Sequence, residues 1–365
     1  MAPVDRVDVG LYRIPLPTVL TDSTHGDIAA FELITARVRD QDGAEGMGYT
    51  YTVGRNGRAV RASLVEIAEL AHGQDADRIE YLHHHLWWQL HYGGRGGPVV
   101  LALSAFDIAL WDLKAKRADL PLWRLLGGFD PGVPAYAGGI DLELPLEDLL
   151  AQTDGNLERG FRAIKMKVGR ANLAEDVARV GAMRRHLGDG FPLMADANMK
   201  WTVDQAVRAA RAFQPFDLTW LEEPLPPDDV LGHARVVRDG GLPIATGENL
   251  RTLWDFQTLI VTGGVTFPEP DVTNCGGVTG FMKVARLAEA FHLPVTSHGA
   301  HDVTVHLLAA CPNRSYLEAH GFGLEAYLDR PMDLRDGLAW APDDRPGHGL
   351  RFDWDRLADV AVAPG

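Results

Sequence analysis

The sequence predicts an α/β protein: a closed, TIM-like barrel of eight parallel strands, preceded by a smaller α+β unit. Three observations predict it. From about residue 133 short apolar runs alternate with amphipathic helical patterns, which is the grammar of a parallel sheet. Eight such runs can be placed along the chain, the number that closes a barrel. Most of them also deliver an ionisable residue at the C-terminal end, about one strand–helix unit apart, on the rim where barrel enzymes keep their active sites.

The chain has 365 residues, of which 46% are apolar and 23% charged, an ordinary globular composition. A barrel takes about 250 residues and leaves roughly a hundred for a second domain. The formal net charge of −15 argues against nucleic acid and anionic membrane as partners, because phosphate binding needs clustered Lys and Arg. A small anionic substrate can still be held if a metal and a few lysines reverse the local field. Two cysteines, Cys275 and Cys311, are too few for a disulfide framework and fit a reducing cytosol. The stretch from Met1 to Pro17 lacks the apolar core of a signal peptide. No apolar run approaches a membrane span, so a cytoplasmic location is expected.

Taken in order, residues 6–15 and 29–40 read as strands, the second running into the turn Asp40-Gln41-Asp42-Gly43. Residues 58–71 and Val100 to Lys116 repeat apolar side chains at helical spacing. Strands followed by helices make an α+β unit, assigned to residues 1–125 and punctuated by Gly127-Gly128 and Pro131-Gly132. The barrel is assigned to 126–328, with strands at Val133–Gly138, Ala163–Val168, Leu193–Asp196, Leu218–Glu222, Ile244–Thr246, Val265–Pro270, Val295–Thr296 and Ser315–Leu317. Helices such as Glu175–Leu187, Val203–Phe213 and Gly280–Phe291 lie between them. Residues 329–365 break the rhythm and are expected to return to the first unit.

The strand ends carry the chemistry. Lys165 and Lys167 lie in the second barrel strand, Asp196 and Glu222 end the third and fourth, and Glu248, Asp271, His298 and Glu318 fall at the next four. One acid at a strand end is commonly a helix cap; a run of seven strands is not explained that way. Asp196, Glu222 and Glu248 come from three consecutive strands. Three hard oxygen ligands suit Mg²⁺ better than Zn²⁺, and without a cation they would repel and raise one another's pKa. Lys165 and Lys167, two apart on a strand, point the same way into the barrel. Two buried like charges are expected to depress one lysine pKa and make it a base near neutral pH. His298 beside Asp271 reads as a second acid/base, its tautomer fixed by the carboxylate.

These K-x-K, D-A-N, E-E-P, G-E, Pro270-Asp271 and Ser297-His298 elements resemble, in order and spacing, the enolase superfamily, and within it the mandelate racemase/muconate lactonizing enzyme family. The resemblance implies a (β/α)₇β barrel under an α+β capping domain, with Asp196, Glu222 and Glu248 as Mg²⁺ ligands, Lys167 as base, and His298–Asp271 on the opposite face. It implies that Glu318 hydrogen-bonds an enediolate oxygen and that Lys165 sits against the substrate carboxylate and tunes Lys167. The chemistry it carries is the superfamily's own, a Lys or His base with Mg²⁺ stabilising the intermediate.

Specificity is expected from Asp22-Ser23-Thr24-His25-Gly26 and Gly48-Tyr49-Thr50-Tyr51, read as loops lining a hydroxyl-rich pocket through His25, Tyr49 and Tyr51. Asn198 and His320 are further candidate substrate contacts. Together with Gly94-Arg95-Gly96-Gly97, Gly138-Gly139-Ile140-Asp141 and Asn274-Cys275-Gly276-Gly277, these segments resemble the branch of the family that opens an anhydro ring of a sugar acid by β-elimination. The alternatives are an acid sugar dehydratase, a racemase or epimerase, and a metal-stabilised barrel without chemistry. Glu269, where relatives often carry Gln, and His301 are departures. Relatives are commonly homo-oligomers, and the same is expected here. The three adjacent residues His83-His84-His85 diverge around a helix and cannot chelate one ion, the 93–97 loop lacks a P-loop Lys, and Trp87-Trp88 are expected in the cap core.

Overall fold

The computed structural model describes residues 3–320 and 323–363. The chain opens with an antiparallel sheet of β1 (Val4–Asp22), β2 (Gly26–Asp40) and β3 (Glu45–Thr52). The helices α1 (Gly57–Ala71), α2 (Ile79–Leu90) and α3 (Gly97–Arg117) follow, and the short α4 (Leu122–Leu125) ends this part. A separate apolar cluster sits between the sheet and the helices, including Leu11, Ile34, Val38, Val60, Leu64, Leu86 and Phe106. α3 packs unusually close to β3. A Cβ at Gly46 would lie 2.1 Å from the Ala109 carbonyl oxygen, and one at Gly48 would lie 2.2 Å from that of Ala105, so only glycine admits this approach.

The barrel strands are β4 (Gly132–Gly138), β5 (Ile164–Lys167), β6 (Leu193–Asp196), β7 (Trp220–Glu222), β8 (Ile244–Thr246), β9 (Phe267–Pro268), β10 (Val295–Ser297) and β11 (Arg314–Ala319). They pair in parallel from β4 to β9 and, through β11, from β4 to β10. β9 packs beside β10 to close the ring. The crossovers are α5 (Leu146–Glu158), α6 (Leu173–Leu187), α7 (Val203–Phe213), α8 (Val230–Gly240), α9 (Leu253–Val261), α10 (Gly277–Ala290) and α11 (His301–Leu308). Tyr136, Trp220, Phe267 and Tyr316 plug the interior, so the barrel is a packed core with one working face. The hairpin β12 (Leu334–Arg335) and β13 (Leu338–Trp340) adds antiparallel to β4. Beyond α12 (Trp354–Ala358) the chain runs along β1, where the Val362 N–H donates to the Leu11 carbonyl.

Two expectations need correction. Residues 48–51 are not a loop but the middle of β3, whose glycines hid its strand character. Trp88 is not core: it is 54% exposed, while Trp87 packs at the edge of the cap cluster. Among the described residues no helix is long and apolar enough to cross a membrane.

Candidate active site

Register places the working groups on one level. Lys167, Asp196 and Glu222 are direct neighbours across β5, β6 and β7. Gly247, at φ +148°, turns the chain after β8 so that Glu248 reaches the same rim; a Cβ there would meet the Glu269 backbone at 2.9 Å. Asn198, Met199, Glu223 and Ala300, just past β6, β7 and β10, hold left-handed backbone, the kind of local strain that gathers at working sites.

The charged side chains form one connected network. Lys165 Nζ is bonded to Glu222 Oε1, lies 2.9 Å from Glu318 Oε1 and 3.8 Å from Asp196 Oδ2. Lys167 Nζ donates to Asp196 Oδ2. Across the mouth, His298 Nδ1 is 2.8 Å from Asp271 Oδ2, and its Nε2 lies 3.2 Å from Glu248 Oε2 and 3.7 Å from Glu318 Oε2. The Gly299 N–H donates to Glu318 Oε2 at 2.9 Å. The Glu318 carboxylate therefore touches Lys165 with one oxygen and faces His298 with the other.

The expected depressed lysine is not what this arrangement produces. Burial alone would lower the Lys167 pKa, but attraction to Asp196, Glu222 and Glu248 outweighs both burial and repulsion from Lys165, and the amine stands above its ordinary value. Lys165 is raised likewise, burial being overcome by Glu222 and Glu318. His298 is pushed up to about 10: burial opposes its charge, while Glu248, Glu318 and Asp271 favour it. Two like charges alone would depress one amine; the ring of acids around them reverses the sign.

The acids nonetheless exceed what these cations can neutralise. Glu222 is pushed up to about 8, first by burial and then by Asp196, Glu318 and Glu248, against the pull of Lys165. Burial and the three neighbouring carboxylates together outweigh the pull of Lys165 on Glu222. Among the described residues no three His, Cys, Asp or Glu side chains are gathered around a metal-sized point; Glu222, Asp196 and Glu248 are instead paired with Lys165, Lys167 and His298. The donor set still fits a hard divalent cation. Asp196, Glu222 and Glu248 offer only oxygens, their mutual repulsion is what a cation relieves, and the buried Asn198 Oδ1 beside them has no hydrogen-bond partner.

The other candidates divide. Asn198 is buried, its N–H donating to Asp196 Oδ1 at 2.8 Å. His25, in the β1–β2 turn, is bonded through Nδ1 to Asp22 Oδ2 at 2.7 Å and feels the charges of Glu248 and Lys167, so it borders the mouth. His320, one residue past β11, is lowered to about 4 by burial, with Glu318 opposing and His298 and Lys167 reinforcing the shift. Tyr49 and Tyr51 are buried with their hydroxyls on protein carboxylates, Asp302 at 2.9 Å and Asp271 at 2.5 Å. His301 starts α11 and is buried, its Nδ1 without a hydrogen-bond partner.

Sequence reasoning missed Asp141, whose Oδ1 accepts the Lys167 N–H at 2.9 Å, and Thr273, whose N–H and hydroxyl both donate to Asp271 Oδ1. The Asp-x-Thr spacing was the available signal for the latter. Glu269 lies in the barrel with Tyr136 donating to Oε1 at 3.2 Å and Oε2 unpartnered. Burial, then Glu222, raises it well above the carboxylate range against Lys165. A folded-state pKa above the unfolded one stabilises fully below the unfolded value and is lost as pH rises. Glu269→Gln is therefore expected to raise the Tm of chelator-treated protein at pH 8, with the gain vanishing towards pH 4.5; equal Tm differences at both pH values refute the assignment.

Gly138 sets the Glu318 position: a Cβ would lie 2.6 Å from Glu318 Oε1. Gly138→Ala should cost about 1–3 kcal/mol of stability, as overpacking does, and lower turnover by displacing Glu318. Denaturant melts and kcat check both.

Comparison with known proteins completes the picture. Residues 11–127 match the model of the mandelate racemase / muconate lactonizing enzyme N-terminal domain, and residues 148–356 match that of the enolase C-terminal domain-like family. A 3,6-anhydro-alpha-L-galactonate cycloisomerase of Streptomyces coelicolor is 61% identical, the match covering 98% of this chain and 99% of that protein. An L-talarate/galactarate dehydratase of Salmonella typhimurium is 38% identical over 96% of this chain and 88% of its own. The crystal structure of a racemase from Streptomyces coelicolor with bound magnesium superposes with a TM-score of 0.96 at 59% identity, covering 98% of this chain and all of that one. The Salmonella dehydratase liganded with Mg and L-lyxarohydroxamate gives 0.94 at 36% identity, covering 99% and 93%. With both its capping sheet and its barrel matched, the chain belongs to the mandelate racemase/muconate lactonizing enzyme family of the enolase superfamily.

Proposed function

We propose that this chain is a Mg²⁺-dependent enzyme that removes the α-proton of a sugar-acid carboxylate and then expels an oxygen from the β-carbon, opening an anhydro ring as a 3,6-anhydro-L-galactonate cycloisomerase does. The observation that carries the reading is the pair of opposed bases. Lys167 lies on one side and His298–Asp271 on the other, with the Glu318 carboxylate reaching both sides. The 61% identity to a cycloisomerase supports the substrate class. Lys167, in its neutral form, would take the α-proton at Nζ. Lys165 would hold the substrate carboxylate, Glu318 in its protonated form would donate to an enediolate oxygen, and His298 Nε2 would hand a proton to the departing oxygen. Asp196, Glu222 and Glu248 would hold Mg²⁺, which would supply Lewis-acid charge to the substrate carboxylate; with Asp196 so engaged, the attraction that keeps Lys167 protonated would weaken.

The same two bases could instead return the proton to the opposite face, an epimerase outcome, or act on an open-chain acid as the Salmonella dehydratase does. Incubation with 3,6-anhydro-L-galactonate and open-chain sugar acids in D₂O separates these. A 2-keto product from the anhydro acid is expected. A deuterated stereoisomer means epimerisation, and silence across the panel means a barrel without this chemistry. Self-association belongs to the same reading, supported by the exposed Trp88, Tyr92 and Trp254; a monomer in sedimentation velocity overturns it. Cys275 and Cys311 are buried and free, which supports a reducing cytoplasm.

A further inference from the structure

We propose that Tyr51, a residue of the capping sheet, is a positioning residue for the His298–Asp271 pair and acts through Asp271 rather than on the substrate. The proposal rests on the functional reading above. Asp271 is fully buried. Its Oδ1 accepts from the Thr273 N–H at 2.7 Å and the Thr273 hydroxyl at 2.6 Å. Its Oδ2 accepts from the Tyr51 hydroxyl at 2.5 Å and faces His298 Nδ1 at 2.8 Å, the Tyr51 oxygen lying 3.2 Å from that same nitrogen. Tyrosine and histidine thus share one carboxylate oxygen.

Two effects follow. The carboxylate cannot rotate, so the imidazole stays with Nε2 towards Glu248 and Glu318. A second donor on Oδ2 also draws off part of the charge that Asp271 offers the imidazole. Tyr51 is 6% exposed, with its ring edge-on to Phe31 at 6.0 Å, so it is packed as a fixed strut. Its neighbours do similar work: the Thr50 hydroxyl donates to the Thr273 carbonyl at 2.9 Å, and the Tyr49 hydroxyl to Asp302. Three successive residues of β3 therefore fix the loop after β9 and the start of α11. The second acid/base is complete only when the cap is docked.

The test is Tyr51→Phe in the full-length, Mg²⁺-loaded enzyme. It keeps the ring and the Phe31 contact. The expected result is a kcat lower by about 10- to 100-fold, the usual cost of losing a group that orients a functional histidine, with KM unchanged. In an Asp271→Asn background the same substitution should cost nothing more. A second readout needs no turnover: in ¹⁵N-histidine-labelled protein, the His298 Nδ1–H resonance, assigned by its loss in His298→Asn, should shift in Tyr51→Phe. If that variant does not fold, 3-fluorotyrosine at position 51 should shift it instead. A raised KM with intact kcat, an additive loss in the Asp271→Asn background, or an unmoved resonance overturns the proposal. Failure of the wild type on every sugar acid would sink the functional reading alone, because the resonance still decides the role of Tyr51.

Discussion

Lys167→Ala is expected to lower turnover of the sugar acid by at least about 10²-fold, the usual scale for a positioned acid or base, and His298→Asn to do the same. The two losses should differ in kind. Lys167 lies at the rim, bonded to Asp196 and in register with it; without its amine, exchange of the α-proton with D₂O should stop together with product formation. His298 stands across the mouth against Glu248 and Asp271; without it, α-exchange should persist while the 2-keto product fails to form. Both follow from progress curves and ¹H NMR of recovered substrate. If each single variant keeps full activity, the residue assignments are wrong.

Removal of divalent cation is the second large effect. With chelator, turnover should disappear and return on addition of Mg²⁺. Because a cation that binds only the folded chain stabilises it by mass action, about 2.7 kcal/mol at a hundredfold excess over Kd, Mg²⁺ should also raise Tm. Glu222→Gln tests the site rather than the general effect. It replaces one oxygen of the carboxyl that burial, and after it the neighbouring acids, push up to about 8, and the Mg²⁺-induced rise should be lost. A rise that survives in Glu222→Gln would place the cation elsewhere.

Much of this was legible in the sequence because barrels write their active site at fixed intervals. Each strand end is short, and a single register brings Lys167, Asp196 and Glu222 level. The strands of the barrel were likewise visible as apolar runs between helical stretches. What was hidden depended on contacts between distant segments. β3 was masked by Gly46 and Gly48, which read as loop residues yet are there because α3 lies against them. The bonds of Tyr49 and Tyr51 to Asp302 and Asp271 join residues more than two hundred positions apart, and no local pattern reports such pairing. The lysine charge state failed for a related reason: the neighbours that decide it, Asp196, Glu222 and Glu248, arrive from other strands.

The closeness of α3 to β3 has an outcome for how this enzyme can vary. With no side chain at positions 46 and 48, the helix backbone acts as a shim, and its thickness fixes how far the phenols on the opposite side extend. A methyl group at either position would prise the strand off its support and drive both hydroxyls out of register with their carboxylates together. Such a change, remote from every reacting atom, should register as slower chemistry before it registers as a failure to fold.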